Sequence, residues 1–391
     1  MSMRTVPLAE LGAIVSGSTP KTTEPGYWNG DIPWITPADL ADHEGVYFNG
    51  KPKLITKAGL ESCSTTILPP GAILFSSRAP IGHCAVARTP VCTNQGFKNI
   101  VPNERLHPIY GFYALKFITP SIIAKGRGAT FAEVNKELME EVPVPYCDLP
   151  EQKRIAGILE QVDRLRRNRR YAFELSDTFL PAAFLALFGD MDTTGAQTVE
   201  QLAAVKPNSI RTGPFGSQLL HSEFTDRGIA VLGIDNAVKN RFEWSERRFI
   251  SQEKYEQLRR YTVFPGDVLI TLMGTCGRCA IVPDNIPTAI NTKHLCCITL
   301  DQGCCIPIYL HGAFLFHPFV RNQLSRATKG AIMEGLNMGI IEELRIPLPT
   351  LDQQRHFASL VKSHERLRAK QLESLRQAEH LFQSLLNSAF T

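Results

Sequence analysis

The sequence predicts an α+β chain built twice: a globular unit of mixed strand and helix, a Pro-rich exit and a long helix, then the same layout again. Three observations carry this. Residues 70–86 and 265–281 are identical at six of seventeen positions without gaps, at an offset of 195. Residues 128–168 and 330–370 are identical at twelve of 41 positions, at an offset of 202. Each of these longer blocks runs into a stretch whose apolar residues recur near heptad spacing. Self-similarity at a fixed offset marks a repeated structural unit, and a drift in the offset is what loop insertions produce.

In chain order, GDIPWITPADL at 30–40 and GIAVLGIDNAV at 228–238 are turn–strand–loop pairs, while PGAILFSS at 70–77 and PGDVLITL at 265–272 are turns entering buried strands. Strands do not alternate regularly with long helices, so a doubly wound parallel sheet is not favoured. The helical stretches open at Asp148-Leu149-Pro150-Glu151 and Thr350-Leu351-Asp352-Gln353. Both fit a capping box, in which two side chains satisfy the free N–H groups of the first turn. The predicted seams are Ile155, Ile158, Val162, Leu165, Ala172 and Phe179, and then Phe357, Leu360, Leu367, Leu375, Leu381 and Leu385. Such a seam wants a partner helix. Continuous helix from Leu149 to Phe188 would reach ~60 Å, and Pro181 should kink or restart it. The predicted segments are 1–148, 149–189, 190–349 and 350–391.

The 391 residues are 43% hydrophobic and 20% charged, which excludes a mostly disordered chain or a collagen. No apolar run approaches the ~20 residues that span a bilayer; FLPAAFLALF at 179–188 is short and carries Pro181. The N-terminus does not read as a signal peptide, so the cytoplasm is expected, with no membrane. The net charge of +4 says little alone, but residues 151–170 hold seven basic and three acidic side chains. That is either a solvated helix face or a binding surface. The ten cysteines are not expected to form disulfides. Cys276 and Cys279 form a CxxC, followed by Cys296–Cys297 and Cys304–Cys305, an irregular match to a zinc site. Ile81 stands where Cys276 does, so the repeat favours small buried strand residues over a metal site.

The sequence has no phosphate-binding loop, nucleophile elbow, HExxH or methyltransferase motif. What it offers suits a polyanion and base edges. The first copy presents Lys21, Thr22, Thr23, Tyr27 and Asn29, then Ser76, Ser77 and Arg78, then Asn94, Gln95 and Lys98, then Lys125 and Arg127. The second presents Arg211, Thr212, Ser217 and Gln218, then Lys239 and Arg241, then Arg278, Asn291, Lys293 and His294, then Lys329. Arg and Lys pair with guanine and Asn or Gln with adenine in the major groove, while Lys, Ser and Thr hold phosphates. Trp28 and Trp34 read as packing anchors.

With these residues in hand, the chain resembles the specificity (S) subunit of type I restriction–modification systems. The carrying segments are SGSTPK at 16–21, GDIPWITPADL at 30–40, TNQGF at 93–97 and VPVPYCDLPEQKRIAGIL at 142–159, with the echo IPLPTLDQQRHFASL at 346–360. The entry from Pro145 to Gln152 is the most specific. The second copy departs at Gln353, where the family usually has an acid, and at RTGPFGSQL in 211–219, which leaves its DNA target open. The resemblance implies two target-recognition domains, each reading half of a bipartite DNA site. It also implies two antiparallel spacer helices and an internal pseudo-two-fold. Separate modification subunits would carry S-adenosylmethionine and methyltransferase chemistry, and a restriction subunit would use ATP. This chain would be non-catalytic and hold no cofactor. Gln152, Arg164, Arg166, Gln354, Arg366 and Arg368 on the helices would bind the modification subunits. Three other readings stay open: a protein–protein scaffold, the detached recognition module of a single-chain restriction enzyme, and an enzyme using the CxxC as a zinc or redox site.

Overall fold

Two glycines in each copy take backbone angles that other residues avoid, and they set the strand ends. Gly71 and Gly266 have φ of +87° and +79°, and lead into strands Ile73–Phe75 and Val268–Thr271. Gly82 and Gly277, at +98° and +74°, return the chain into Cys84–Val86 and Cys279–Ile281. Glycine reaches this region without a Cβ clash, which accounts for its identity in both copies. The computed structural model describes residues 3–78, 80–125, 134–329 and 335–391, with only the backbone of Lys125, Thr328 and Lys329. Hydroxyls tie both returning turns alike. Ser76 Oγ donates to the Pro80 carbonyl (2.7 Å) and accepts from the His83 N–H (2.8 Å). Thr271 Oγ1 donates to the Thr275 carbonyl and accepts from the Arg278 N–H (3.0 Å).

The chain divides into two compact units, residues 1–173 with 370–391, and residues 174–369. They do not follow the four successive segments, because the C-terminal helix contributes to both. In unit 1, an antiparallel sheet runs in the order Gly12–Ser16, Lys98–Pro102, Ile73–Phe75, Cys84–Val86. A second sheet places Trp28–Ile35 between antiparallel Lys53–Ile55 and parallel Cys92–Thr93. Unit 2 repeats the first sheet as Ile210–Thr212, Leu295–Ile298, Val268–Thr271, Cys279–Ile281. Its second sheet has five strands around the parallel pair Ile229–Leu232 and Ala289–Asn291.

The near-continuous apolar strands are buried on both faces. Ile73 and Phe75 join the core beneath helix Pro108–Lys125, while Leu74 joins the core shared with Ile35 and Phe97. Val268 and Ile270 likewise share a core with Tyr309, and Leu269 with Ala230 and Leu232. This is the two-residue period of a strand between two layers. The same alternation separates the cysteines: Cys279 and Cys296 face one core and Cys297 the other. Burial pushes the Cys296 thiol up to about 12 and raises that of Cys279 as well. No cluster of three or more potential ligands suited to a metal occurs among the described residues.

The first helical stretch is helix Leu149–Leu175, a 3-10 turn at Ser176–Thr178 and helix Phe179–Phe188. The break lies one turn before Pro181, whose missing N–H and ring disturb the carbonyl four residues earlier. The second is one 40-residue helix, Leu351–Phe390. Leu149–Phe188 is long and apolar enough, by length and composition alone, to cross a membrane. Within its most apolar part Phe184 and Phe188 are buried in the core of unit 2, while Phe179, Leu185 and Leu187 are exposed.

Within each unit the helices run antiparallel. In unit 1, Arg166 lies over the Phe382 ring (4.3 Å) and Arg169 Nη1 donates to the Ser374 carbonyl (3.3 Å). In unit 2, Phe179 stacks on His364 (5.3 Å) and Phe184 meets Phe357 edge-on (5.2 Å). The predicted heptad seam is corrected. Ile155, Phe357 and Leu375 are buried, but Ile158, Leu165, Phe179, Leu367 and Leu381 are exposed. The buried stripe near the C-terminus is Leu375, Ala378, Phe382, Leu386 and Phe390. These helices pack on a globular core as well as on each other, so the stripe follows the spacing of an ordinary amphipathic helix.

Candidate nucleic-acid interface

In both units a glycine lets one loop pass against the end of another. A Cβ on Gly17 would lie 2.2 Å from the Asn94 carbonyl oxygen, and one on Gly213 would lie 2.0 Å from that of Asn291. Only glycine fits such an approach. The Ser18 N–H then donates to the Thr93 carbonyl (3.0 Å), the Ser77 N–H to Gly96 (2.8 Å) and the Val134 N–H to Ser77 (2.9 Å). Unit 2 repeats the last two bonds, Leu272 to His294 (2.9 Å) and Leu336 to Leu272 (2.8 Å), and there the Gly213 N–H itself donates to Thr292 (3.3 Å). Segments far apart in sequence, 17–22, 76–78, 93–96 and the chain entering at Val134, therefore meet at one end of the sheet, its loop edge. Segments 213–218, 272–278, 292–294 and the chain entering at 335 meet at the equivalent edge.

The exposed side chains on the first edge are Lys21, Thr22, Arg78 and Gln95, and Gln95 hydrogen-bonds Thr19. Of the expected contacts, Ser217, Arg278 and Lys293 are exposed on the second. Asn94 is half-buried and its Oδ1 accepts from the Gly96 N–H (2.9 Å). Lys239 is exposed and paired with Glu243 (2.7 Å). Arg127 and the side chain of Lys329 lie outside the described residues.

Four of the expected DNA contacts are corrected. Ser77 is fully buried, with its hydroxyl on the Gly96 carbonyl (3.2 Å). Lys98 is 7% exposed on a central strand. Asn291 is fully buried and its Nδ2 donates to the Leu295 carbonyl (2.9 Å). Arg211 is 5% exposed and ion-paired with Asp267. Its guanidinium also donates to the carbonyls of Thr262 (2.6 Å) and Asn208 (3.0 Å) and to Thr299 Oγ1 (3.0 Å). Donors already satisfied inside the protein leave nothing for a base or a phosphate.

The subunit-binding candidates divide the same way. Gln152 and Gln354 are fully buried. Gln152 Nε2 donates to the carbonyls of Arg105 (2.9 Å) and Cys147 (2.8 Å), and its Oε1 accepts from the His107 N–H (2.8 Å). Gln354 makes the matching bonds to Cys304 (2.9 Å), Pro349 (3.0 Å) and the Ile306 N–H (2.9 Å). Both glutamines anchor a helix start to its unit, and that explains their place in the repeat. Arg166 is held by Asp163 (2.7 Å), and Arg368 bonds Ser176 Oγ (2.9 Å) and pairs with Asp177. Arg164 and Arg366 are exposed.

Met273 and Phe215, which carry no polar group to mark them in the sequence, are 49% and 58% exposed on the second edge. The gap-free repeat held the signal, because it sets Met273 opposite Arg78. Beside them, burial and the charge of Lys293 hold the His294 imidazole below its ordinary value.

Comparison with known proteins agrees with this duplicated arrangement. The family described as type I restriction modification DNA specificity domain matches residues 2–171 and 227–377. The type I restriction enzyme MjaIX specificity subunit of Methanocaldococcus jannaschii is 39% identical over 187 residues, which cover 47% of this chain and 43% of that protein. The EcoBI specificity subunit of Escherichia coli is 22% identical over 98% of this chain and 79% of its own length. In fold, a chain from a study of assembly and conformational transition in the type I R-M system superposes with a TM-score of 0.63 at 17% identity, covering 100% of this chain and 97% of that one. The S subunit of a type I system from M. genitalium does so at 0.58 and 14%, covering 100% and 96%.

Proposed function

The chain belongs to the type I restriction–modification DNA specificity family, and we propose that it is the non-catalytic DNA-reading subunit of such a system. Each unit reads one half of a bipartite site on double-stranded DNA through its convergent loop edge. Modification subunits bring S-adenosylmethionine and the methyl-transfer chemistry, and a restriction subunit brings ATP-driven cleavage, all in the cytoplasm. The observation that carries this reading is the double convergence: distant loops bring Lys21, Arg78 and Gln95 to one edge and Arg278 and Lys293 to its counterpart. Basic and amide side chains on loops held by a rigid sheet suit base edges and phosphates. Of the helix arginines that the resemblance implies for the modification subunits, Arg164 and Arg366 are the exposed ones and would make that contact.

Methylation mapping in cells that express this chain with its modification subunit tests the reading. The expected result is an interrupted motif with two different half-sites. DNA affinity of the purified complex should fall steeply with salt, as released counterions require. A complex that assembles but modifies no interrupted motif would sink it. Reversing the charge of Arg164 and Arg366 together should weaken assembly; unchanged assembly would remove those two residues from the interface.

A further inference from the structure

The equivalent edges of the two units share a backbone and differ in what stands on it. Strand Val268–Thr271 is fully buried, Leu272 is 4% exposed, and the next residue, Met273, is 49% exposed. The Thr271 N–H donates to the Arg278 carbonyl (2.9 Å), as the Ser76 N–H does to that of His83 (2.8 Å). Met273 therefore occupies the backbone position that Arg78 fills in unit 1. It is held from two sides. Its backbone bridges to Gly335, and its sulfur touches His294 Nδ1 at 3.3 Å. Exposed Arg278 stands at the far end of the same hairpin loop, exposed Lys293 precedes His294 in the chain, and the loop carrying exposed Phe215 borders the same 292–294 segment. An exposed apolar side chain thus stands on a loop edge that also carries two exposed basic residues.

We propose that Met273 is a specificity-determining residue of unit 2 that contacts the methyl group of a thymine in the major groove of its half-site. This rests on the DNA-reading function proposed above. Arg278 and Lys293 draw the polyanion to this edge. Among unmodified base edges in the major groove, only thymine presents a methyl group to an apolar side chain. An unbranched, polarizable thioether fits such an irregular surface. The His294 imidazole, held below its ordinary value, leaves the thioether beside a neutral ring at neutral pH.

The test uses the full chain assembled with its modification subunits and duplexes carrying the mapped motif. Thymines of the half-site read by unit 2 are replaced one at a time by deoxyuridine, which removes only the methyl group. One replacement should weaken binding by the wild-type complex about four-fold, the transfer value of one buried methyl group. The Met273→Ala complex should bind thymine and deoxyuridine at that position equally, and Met273→Leu should restore the difference. Met273→Arg should change the motif at that position alone. Methyl-insensitive binding at every thymine of that half-site, a half-site without thymine, or methyl sensitivity that survives Met273→Ala would overturn the assignment. The deoxyuridine measurement on the wild type stands whether or not a variant folds. Absence of any interrupted motif in the wild type would instead overturn the DNA-reading function itself.

Discussion

Unit 1 holds Val15 and Ala72 where unit 2, at the same sheet positions, holds Arg211 and Asp267. In unit 1 both residues belong to an apolar layer, and Ala72 is fully buried. In unit 2 the same space carries an ion pair, 5% and 1% exposed, wrapped by Thr262, Asn208 and Thr299. The hydrogen bonds of the two units correspond, from the Gly82 and Gly277 turns to the Gln152 and Gln354 side-chain anchors. One scaffold thus tolerates either chemistry so long as each buried polar group finds a partner. An Arg in the sequence is therefore no sign of a ligand until its neighbours are known.

The largest effect should come from breaking the shared use of the C-terminal helix. Ending the chain after Ala369 removes Phe382, Leu386 and Phe390 from the core of unit 1 and leaves the core of unit 2 intact. Burial of each such side chain contributes about 1.5–3 kcal/mol, so unit 1 should lose its hydrogen-exchange protection while unit 2 keeps most of its own. Equal loss in both units would refute the division of that helix.

The ion pair comes next. Arg211→Ala leaves Asp267 buried and uncompensated, which should cost about 3–5 kcal/mol in denaturant unfolding of unit 2. Arg211→Val with Asp267→Ala, which installs the residues of unit 1, should cost clearly less, because no charge is left buried alone. A double variant as unstable as the single one would show that the two units are not interchangeable here.

Gln152→Ala and Gln354→Ala should be matched and smaller. Each strands buried backbone groups, at about 1–3 kcal/mol per group left unsatisfied. Thermal unfolding followed separately in each unit should give similar losses, and a large inequality would break the equivalence of the anchors. The smallest effect belongs to the caps. Asn135 Oδ1 accepts from the Leu138 N–H and Asn337 Oδ1 from the Ile340 N–H, both at 2.9 Å. Replacing either by Ala should cost about 1 kcal/mol, which sharpens the comparison if the two values coincide.

The duplication, the turns at Gly71 and Gly266, the strands that follow them and the helix starts at Asp148 and Thr350 are all legible in the residues alone. Glu151 N–H donates to Asp148 Oδ1 (3.1 Å), and Thr350 and Gln353 form the reciprocal cap. These features depend on residues within a few positions of one another, so local chemistry specifies them. Lys21, Arg78, Gln95, Arg278 and Lys293 were legible as loop candidates for the same reason. The tertiary structure alone decided that these loops meet, because their hydrogen bonds join residues far apart in the chain. It also decided that Ser77, Arg211, Asn291, Gln152 and Gln354 face inward and Met273 faces out. A polar side chain's role depends on whether water or protein supplies its partner, and that follows from which distant strand packs against it.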